Sequence, residues 1–210
     1  MSQPTRLNIG AGETYIPGFV NIDVVPWADV SLDMNRDRLP YKDNSIDLVF
    51  TYHCLEHLDN YLFALGEIHR VLRHRGRLLV GVPYVTLTEY HLVNPYHRQN
   101  FNEYSFDFFD PAKLRGSAVE QSQIAFKKVF HRFHYRGGWA KTPFRAFCRR
   151  HFLNVVRYID FGLYAMKPPQ LTLEQTSEDR SSLRREFDRC LSARIAYPGH
   201  VLESGKYDSK

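Results

Sequence analysis

Residues 7–12, Leu-Asn-Ile-Gly-Ala-Gly, and residues 18–23, Gly-Phe-Val-Asn-Ile-Asp, decide the fold. A short apolar run ends in a glycine bend, and a second run ends in an acid. Without Cβ atoms, Gly10 and Gly12 let backbone N–H groups approach a ligand closely. Asp23 presents two acceptor oxygens, enough for both hydroxyls of a ribose. A third candidate strand, residues 29–32, ends at Asp33, which can take an exocyclic amine such as that of adenine. Ligand-facing groups at three successive strand ends are what open α/β sheets use to bind ligands. A nicotinamide dehydrogenase reads differently. The third glycine of its fingerprint would fall at Tyr15, and Asp23 arrives thirteen residues after Gly10, against the ~20 expected. The connection from Gly10 to Gly18 is also shorter than the ~10–12 residues of an ordinary crossover helix.

Working outward, Ile46 to Thr51 is apolar and β-branched, as a buried strand requires. A helical pattern follows, with Leu62, Leu65, Ile68 and Leu72 on one face, Val71 beside them, and Gly76 at its C-terminus. Arg77 to Val82 reads as another buried strand, stopped by Pro83. Near-continuous apolar strands alternating with helices predict a mostly parallel sheet covered on both faces. Residues 84–112 read as a long functional loop with a helix near Glu103 to Phe109. Phe144, Phe147, Cys148, His151, Phe152, Val155 and Ile159 predict a helix over 143–159. Leu171 to Leu173 reads as a last strand. An amphipathic helix from Glu178 through Leu183, Phe187, Leu191 and Ile195 follows, with a frayed end from Ser204.

The ordered set LNIGAG (7–12), GFVNID (18–23), Asp33, LPYKDNSIDLVF (39–50), HCLEHL (53–58) and EIHRVLRHRGRLLVGVPY (67–84) resembles class I S-adenosylmethionine-dependent methyltransferases. Among them it is similar to a type-11-like group with an abbreviated first crossover, associated with surface-polysaccharide synthesis. The resemblance covers residues 5–84 well and 85–110 loosely. It implies an α/β, Rossmann-like methyltransferase sheet, mostly parallel, with an α-rich basic cap, and S-adenosyl-L-methionine as cofactor. It divides the chain into a cofactor-binding half (1–84), an acceptor-side loop, cap and last strand (85–176), and a C-terminal helix with tail (177–210). Gly10 and Gly12 would face the methionine part of the cofactor, with Ile9 and Ala11 supporting the turn. Asp23 would bind the ribose. Asp33, with Met34 behind it, would contact or cover the adenine, and His53 would line the floor beneath the sulfonium. The missing helix after Gly12 removes a dipole that usually lies near the cofactor's carboxylate, leaving the segment from Glu13 to Pro17 as a possible holder.

His53-Cys54-Leu55-Glu56-His57 also spells HxxEH, the inverted zinc-peptidase signature, which needs both histidines on one helical face. Here the motif directly follows a strand, the resemblance implies that Glu56-His57 is a structural turn into the following helix, and no metal site is expected. Methyl transfer to a hydroxyl or amine requires alignment and removal of a proton. Candidate bases in the loop after Pro83 are Glu89, His91 and His97, the catalytic assignment falling on His97 and His91. Tyr90, Tyr96 and Phe101 are candidate walls for the acceptor.

The chain has 210 residues, 43% hydrophobic and 24% charged, with a net charge of +5. That length predicts one domain, and the composition is globular rather than disordered. Cys54, Cys148 and Cys190 are too few and too scattered for a disulfide framework or a CxxC site. No secretory signal and no membrane span are read; the longest apolar candidate, 152–166, contains Arg157 and Asp160. The expected location is the cytoplasm. Between Glu120 and Asp160 there is no acid, but there are Lys127, Lys128, Arg132, Arg136, Lys141, Arg145, Arg149, Arg150 and Arg157. This segment reads as a surface for an anionic partner: a small-molecule or glycan acceptor, or a membrane contacted peripherally through 143–159. Nucleic acid ranks last because no recognised module accompanies the charge. A methyltransferase-fold binding protein without turnover is the rival class. The sequence is silent on oligomeric state.

Overall fold

Short β-branched runs and one long amphipathic pattern organise the chain, which the computed structural model describes over residues 5–113, 123–171 and 177–198. In chain order the elements are β1 (Arg6–Ile9), β2 (Thr14–Tyr15), β3 (Val20–Asp23), β4 (Val30–Ser31), β5 (Ile46–Tyr52), α1 (Tyr61–Val71) and β6 (Leu72–Pro83). They continue with β7 (Phe126–Tyr135), α2 (Arg145–His151), β8 (Val156–Ala165), α3 (Ser177–Ser192) and β9 (Ile195–Ala196). Seven strands form one sheet in the order β4-β3-β1-β5-β6-β8-β7, and β2 pairs with β9 in a separate ribbon. β4, β3, β1, β5 and β6 are mutually parallel. β8 runs antiparallel to both β6 and β7, so it alone is reversed in the sheet. The carboxyl ends of the six other strands share one rim, and strand order reverses between β1 and β5, where such sheets bind ligands.

A register shift between Ile46 and Leu48, then alternation along the rest of β5, divides the core. Ile46 and Val49 pack on one face with Leu65, Ile68 and Val71 of α1. Leu48 and Phe50 pack on the other with Leu183, Phe187 and Cys190 of α3. Burial on both faces is why these strands read as continuous apolar runs.

Several boundaries differ from expectation. Leu62 is 60% exposed, and Leu72 has already left the helix for β6. The left-handed residue after α1 is Arg75 (φ 59°), while a Cβ on Gly76 would lie 2.8 Å from the Arg73 carbonyl oxygen. Gly76 therefore permits a tight turn inside the strand rather than capping the helix. Near Glu103 to Phe109 only a single 3-10 turn, Asp107–Phe109, forms. The expected helix over 143–159 stops at His151. Asn154 then takes φ 59°, and β-branched Val155 and Val156 lead into β8. The cap is thus less helical than expected, because β7 and β8 join the main sheet. α3 ends at Ser192 and Ile195 lies in β9. Thr172 and Leu173, and the tail from Ser204, lie outside the described residues.

Arg70 fixes the long connection into β5. Its guanidinium donates to both Glu67 oxygens (2.8 and 2.7 Å) and to the Tyr41 and Leu39 carbonyls (2.8 and 2.9 Å), while the Leu39 N–H donates to Glu67 (3.0 Å). The Arg70 hydrogen bond holds the Glu67 carboxyl below its ordinary 4.5. Removing one member of a largely buried, multiply bonded pair leaves the other charge uncompensated. Arg70→Met should therefore cost about 2–4 kcal/mol in urea unfolding, whereas Arg36→Ala, at an exposed ion pair, should stay within about 0.5 kcal/mol.

Candidate cofactor and acceptor site

The glycine bend leaves β1 at the shared rim. Gly10 takes φ 74°, and a Cβ there would sit 2.2 Å from Cys54 Cβ, so this glycine admits Cys54 rather than a ligand. Gly12 takes φ 60° and has no heavy atom within 4 Å of its missing Cβ; it is the glycine that opens onto free space. The bend's amides are engaged within the chain. Gly10 and Ala11 N–H both donate to the Ile22 carbonyl (2.9 and 3.2 Å), and Gly12 N–H donates to Asp23 Oδ2 (2.8 Å). The expectation that these donors face a ligand is corrected on that ground. Ile9 and Ala11 are buried beneath the bend.

Asp23 Oδ1 accepts from its neighbour's amide, Val24 N (2.7 Å), so each carboxylate oxygen carries one bond and keeps lone-pair capacity. Asp33 lies past the end of β4 and is more occupied. It accepts from Asn35 N and Nδ2 (2.9 and 3.1 Å) and pairs with Arg36 (2.7 Å). The Asn35 backbone bond is the largest contribution holding its carboxyl below 3.8. Met34 is buried in the core, so it supports the turn from beneath and presents no covering face. His53, just beyond β5, takes φ 55°, gives its N–H to the Gly81 carbonyl (2.9 Å), and stacks edge-on against Tyr52 and Tyr158.

Two residues went unnoticed in the sequence. Trp27 donates from Nε1 to the Gly12 carbonyl (3.0 Å) and stays partly exposed beside Asp23; its signal was an aromatic within the loop leaving that acid. Arg194 comes from the far end of the chain. β2 pairs with β9 through Thr14↔Ala196 and Tyr15↔Ile195, which places Arg194 against the bend. Its Nε donates to Thr14 Oγ1 (3.1 Å) and its guanidinium carbon lies 4.9 Å from the Tyr52 ring centroid. Among the described residues no carboxylate pairs with it, and burial pulls its pKa below 12.5. No local sequence signal marks this position, because a separation of 180 residues brings it there.

Further along the same rim, the loop after β6 folds back over the turn after β5. Arg98 and Gln99 N–H both donate to the Glu56 carbonyl (2.7 and 3.1 Å). His91 is buried; its Nε2 contacts Asn100 Oδ1 (2.9 Å) and its Nδ1 contacts His97 Nδ1 (2.7 Å). With Asn100 accepting, His91 carries its proton on Nε2 and accepts on Nδ1. His97 then donates from Nδ1 and keeps a bare lone pair on Nε2. Burial lowers the pKa of both rings below 6.5. The other candidates separate: Glu89 is paired with Arg136 (2.6 Å), Phe101 is core, and Tyr90 and Tyr96 are exposed. Burial pushes the Cys54 thiol up to about 12, which keeps it un-ionised.

The basic segment is less free than its composition suggests. Lys127 pairs with Asp110, Lys128 with Asp107, Arg132 with Asp160 and Asp188, Arg136 with Glu89, and Arg149 with Glu103. Lys141, Arg145 and Arg150 are exposed without an acidic partner among the described residues. Beside them Phe144, Phe147, Phe152 and Leu153 are half to three-quarters exposed. These residues join the end of β7 to the start of β8, on the rim that carries Asp23 and His53. A cavity of about 540 Å³ lined by Lys127, Phe130, Arg180 and Arg184 lies at the opposite end of β7.

His91 and His97 bind a proton less readily in the folded chain than when unfolded. As pH falls below about 6.5 the unfolded chain takes up protons first, so stability declines toward the lower native pKa values. Urea unfolding between pH 8 and pH 5 should show this loss, and His91→Asn should flatten the acid limb.

Comparison with known proteins agrees with this fold. Residues 23–80 match the family described as methyltransferase domain. Uncharacterized protein MJ0638 of Methanocaldococcus jannaschii is 34% identical over 89 residues, which are 42% of this chain and 36% of that protein. A solved S-adenosylmethionine-dependent methyltransferase from Archaeoglobus fulgidus superposes with a TM-score of 0.52 at 13% identity, covering 77% of this chain and 86% of that one. A chain of a Haloferax volcanii complex that contains the Trm112 methyltransferase activator gives 0.51 at 14% identity, covering 78% of this chain and 83% of that one. The chain carries the Rossmann-like fold of S-adenosylmethionine-dependent methyltransferases, and its residues 23–80 match the methyltransferase-domain family.

Proposed function

We propose that the chain transfers a methyl group from S-adenosylmethionine to a small polar, glycan-related acceptor. The observation that carries this reading is the meeting, at one rim of the switch point, of open Gly12, Asp23 with spare lone pairs, and Arg194 without a carboxylate partner among the described residues. The donor set fits the cofactor. Asp23 suits the ribose hydroxyls, Trp27 offers a ring beside them, and Asp33 lies on the adenine side. Arg194 suits the carboxylate, in the place where a crossover helix would otherwise present its N-terminus. A half-buried guanidinium stays charged, and no carboxylate among the described residues pairs with this one. When bound, the cofactor supplies an electrophilic methyl on sulfur.

His53 would lie near the transferred methyl, and His97 would accept the acceptor's proton at Nε2 as the methyl leaves sulfur. His91 is a positioning residue that fixes the His97 tautomer. Burial keeps His97 neutral, the form that can take a proton.

The exposed aromatic and basic residues from Trp139 to Leu153 lie on the same rim. We assign them to an anionic membrane surface, reached from the cytoplasm, at which the acceptor is presented. Apolar rings and unpaired cations together suit that interface. No helix among the described residues is long and apolar enough to cross a membrane.

Calorimetry with S-adenosylhomocysteine and with methylthioadenosine, which lacks the amino-acid part, separates the roles. Asp23→Asn should weaken both by about ten-fold or more. Arg194→Met should weaken only the former by a similar factor. Equal losses in Arg194→Met would remove its carboxylate role, and no binding of either by the unaltered chain would overturn the transferase reading. In sedimentation, phosphatidylserine vesicles should retain the chain at low salt and phosphatidylcholine vesicles should not. Phe144→Ser with Phe147→Ser should abolish retention; unchanged retention would refute the membrane role.

A further inference from the structure

Glu56 is fully buried, yet its Oε2 has no hydrogen-bond partner. Among the described residues its Oε1 meets only His53 Nδ1 (3.1 Å). Among the described residues no lysine or arginine pairs with this carboxylate. A carboxylate buried with an unsatisfied oxygen is costly and calls for a partner. Two imidazoles stand beside it: one donor atom from each of Glu56, His57 and His97 lies within 4.8 Å of the other two.

The surrounding hydrogen bonds prepare these groups for that use. His57 Nδ1 meets the Tyr96 carbonyl (3.3 Å), so it is the protonated nitrogen and Nε2 is left with its lone pair. His97 is set in the same tautomer through the chain His97, His91, Asn100. His53 donates to the carboxylate itself. Ligating histidines that give their other N–H to a carbonyl or neighbouring acceptor, and a ligating carboxylate that is itself hydrogen-bonded, form the supporting shell of a metal centre. The two backbone bonds from Arg98 and Gln99 to the Glu56 carbonyl tie the His97 loop to the turn bearing the other two groups.

We infer that Glu56, His57 and His97 form a site for one divalent first-row transition ion of the zinc class, with open positions toward the acceptor side. Two imidazoles and one carboxylate select such an ion over magnesium or calcium, which prefer all-oxygen surroundings. Ligand bonds of about 2.1 Å place tetrahedral donors roughly 3.4 Å apart, so the three groups close by about an ångström. His57 is exposed and His97 half-buried, so their rings have room to do so. The site is not that of the HxxEH signature: His53 supports the carboxylate instead of binding the ion, and His97 comes from the loop after β6.

The inference does not rest on methyl transfer, since metal binding alone tests it. An ion would take the Nε2 lone pair that otherwise accepts a proton, so transferase assays of His97 belong in chelator. Chelator-dialysed full chain, titrated calorimetrically with cobalt(II) and followed by visible absorption, should bind one ion per chain. His97→Ala and His57→Ala should each weaken binding by at least about ten-fold. His74→Ala, on the opposite rim, should leave it unchanged. Glu56→Gln, checked for fold by circular dichroism, should behave like the histidine variants. Absence of saturable one-to-one binding, or equal effects of His74→Ala and His97→Ala, would overturn the site.

Discussion

Two buried asparagines hold the candidate donor site together. Asn8 on β1 donates to Asn21 on β3 (2.9 Å), and the same Asn21 oxygen accepts from Ile16 N (2.8 Å). The Asn21 amide nitrogen meets Asp29 (2.8 Å). These bonds satisfy the backbone of a crossover too short for a helix, where unpaired polar groups would be costly. They also set β3 beside β1 so that Asp23 reaches the Gly12 amide. Without that register, the acid and the bend would sit apart.

Losing the crossover helix has a consequence elsewhere. A helix would cover the bend and offer its N-terminal amides to an anion. Here a two-stranded ribbon takes that place, and a guanidinium supplies the positive charge. A point charge on a side chain has a defined direction, whereas a helix terminus offers a diffuse field. The other end of the rim is built differently, from imidazoles whose tautomers are passed along a chain of hydrogen bonds. One rim thus carries a guanidinium at one end and imidazoles around a buried carboxylate at the other.

Much of the sheet was legible because its strands are buried on both faces and end at glycine or acid. β1, β3, β4, β5 and the latter part of β6 fall where apolar runs meet Gly10, Asp23, Asp33, His53 and Pro83. The long antiparallel pair was not legible. β7 mixes Lys127, Lys128, Arg132 and histidines into its apolar positions, so neither period stands out, and its cations are matched by acids distant in sequence. For the same reason a composition-based reading overstated the free positive charge. In the site, Gly12, Asp23 and His53 announce themselves locally. Gly10 was attributed to ligand approach because nothing in the sequence reveals that Cys54 fills its space. Arg194 and the pairing of Glu56 with His97 depend on contacts between distant segments, which no local pattern encodes.

The β2–β9 ribbon gives the chain a temporal order. Every strand of the main sheet precedes residue 166, but the ribbon closes only when Ile195 and Ala196 arrive. During synthesis the sheet can therefore assemble while the bend after β1 still lacks its cationic clasp. Closure of the ribbon then follows assembly of the sheet, so the bend after β1 takes its shape before Arg194 reaches Thr14.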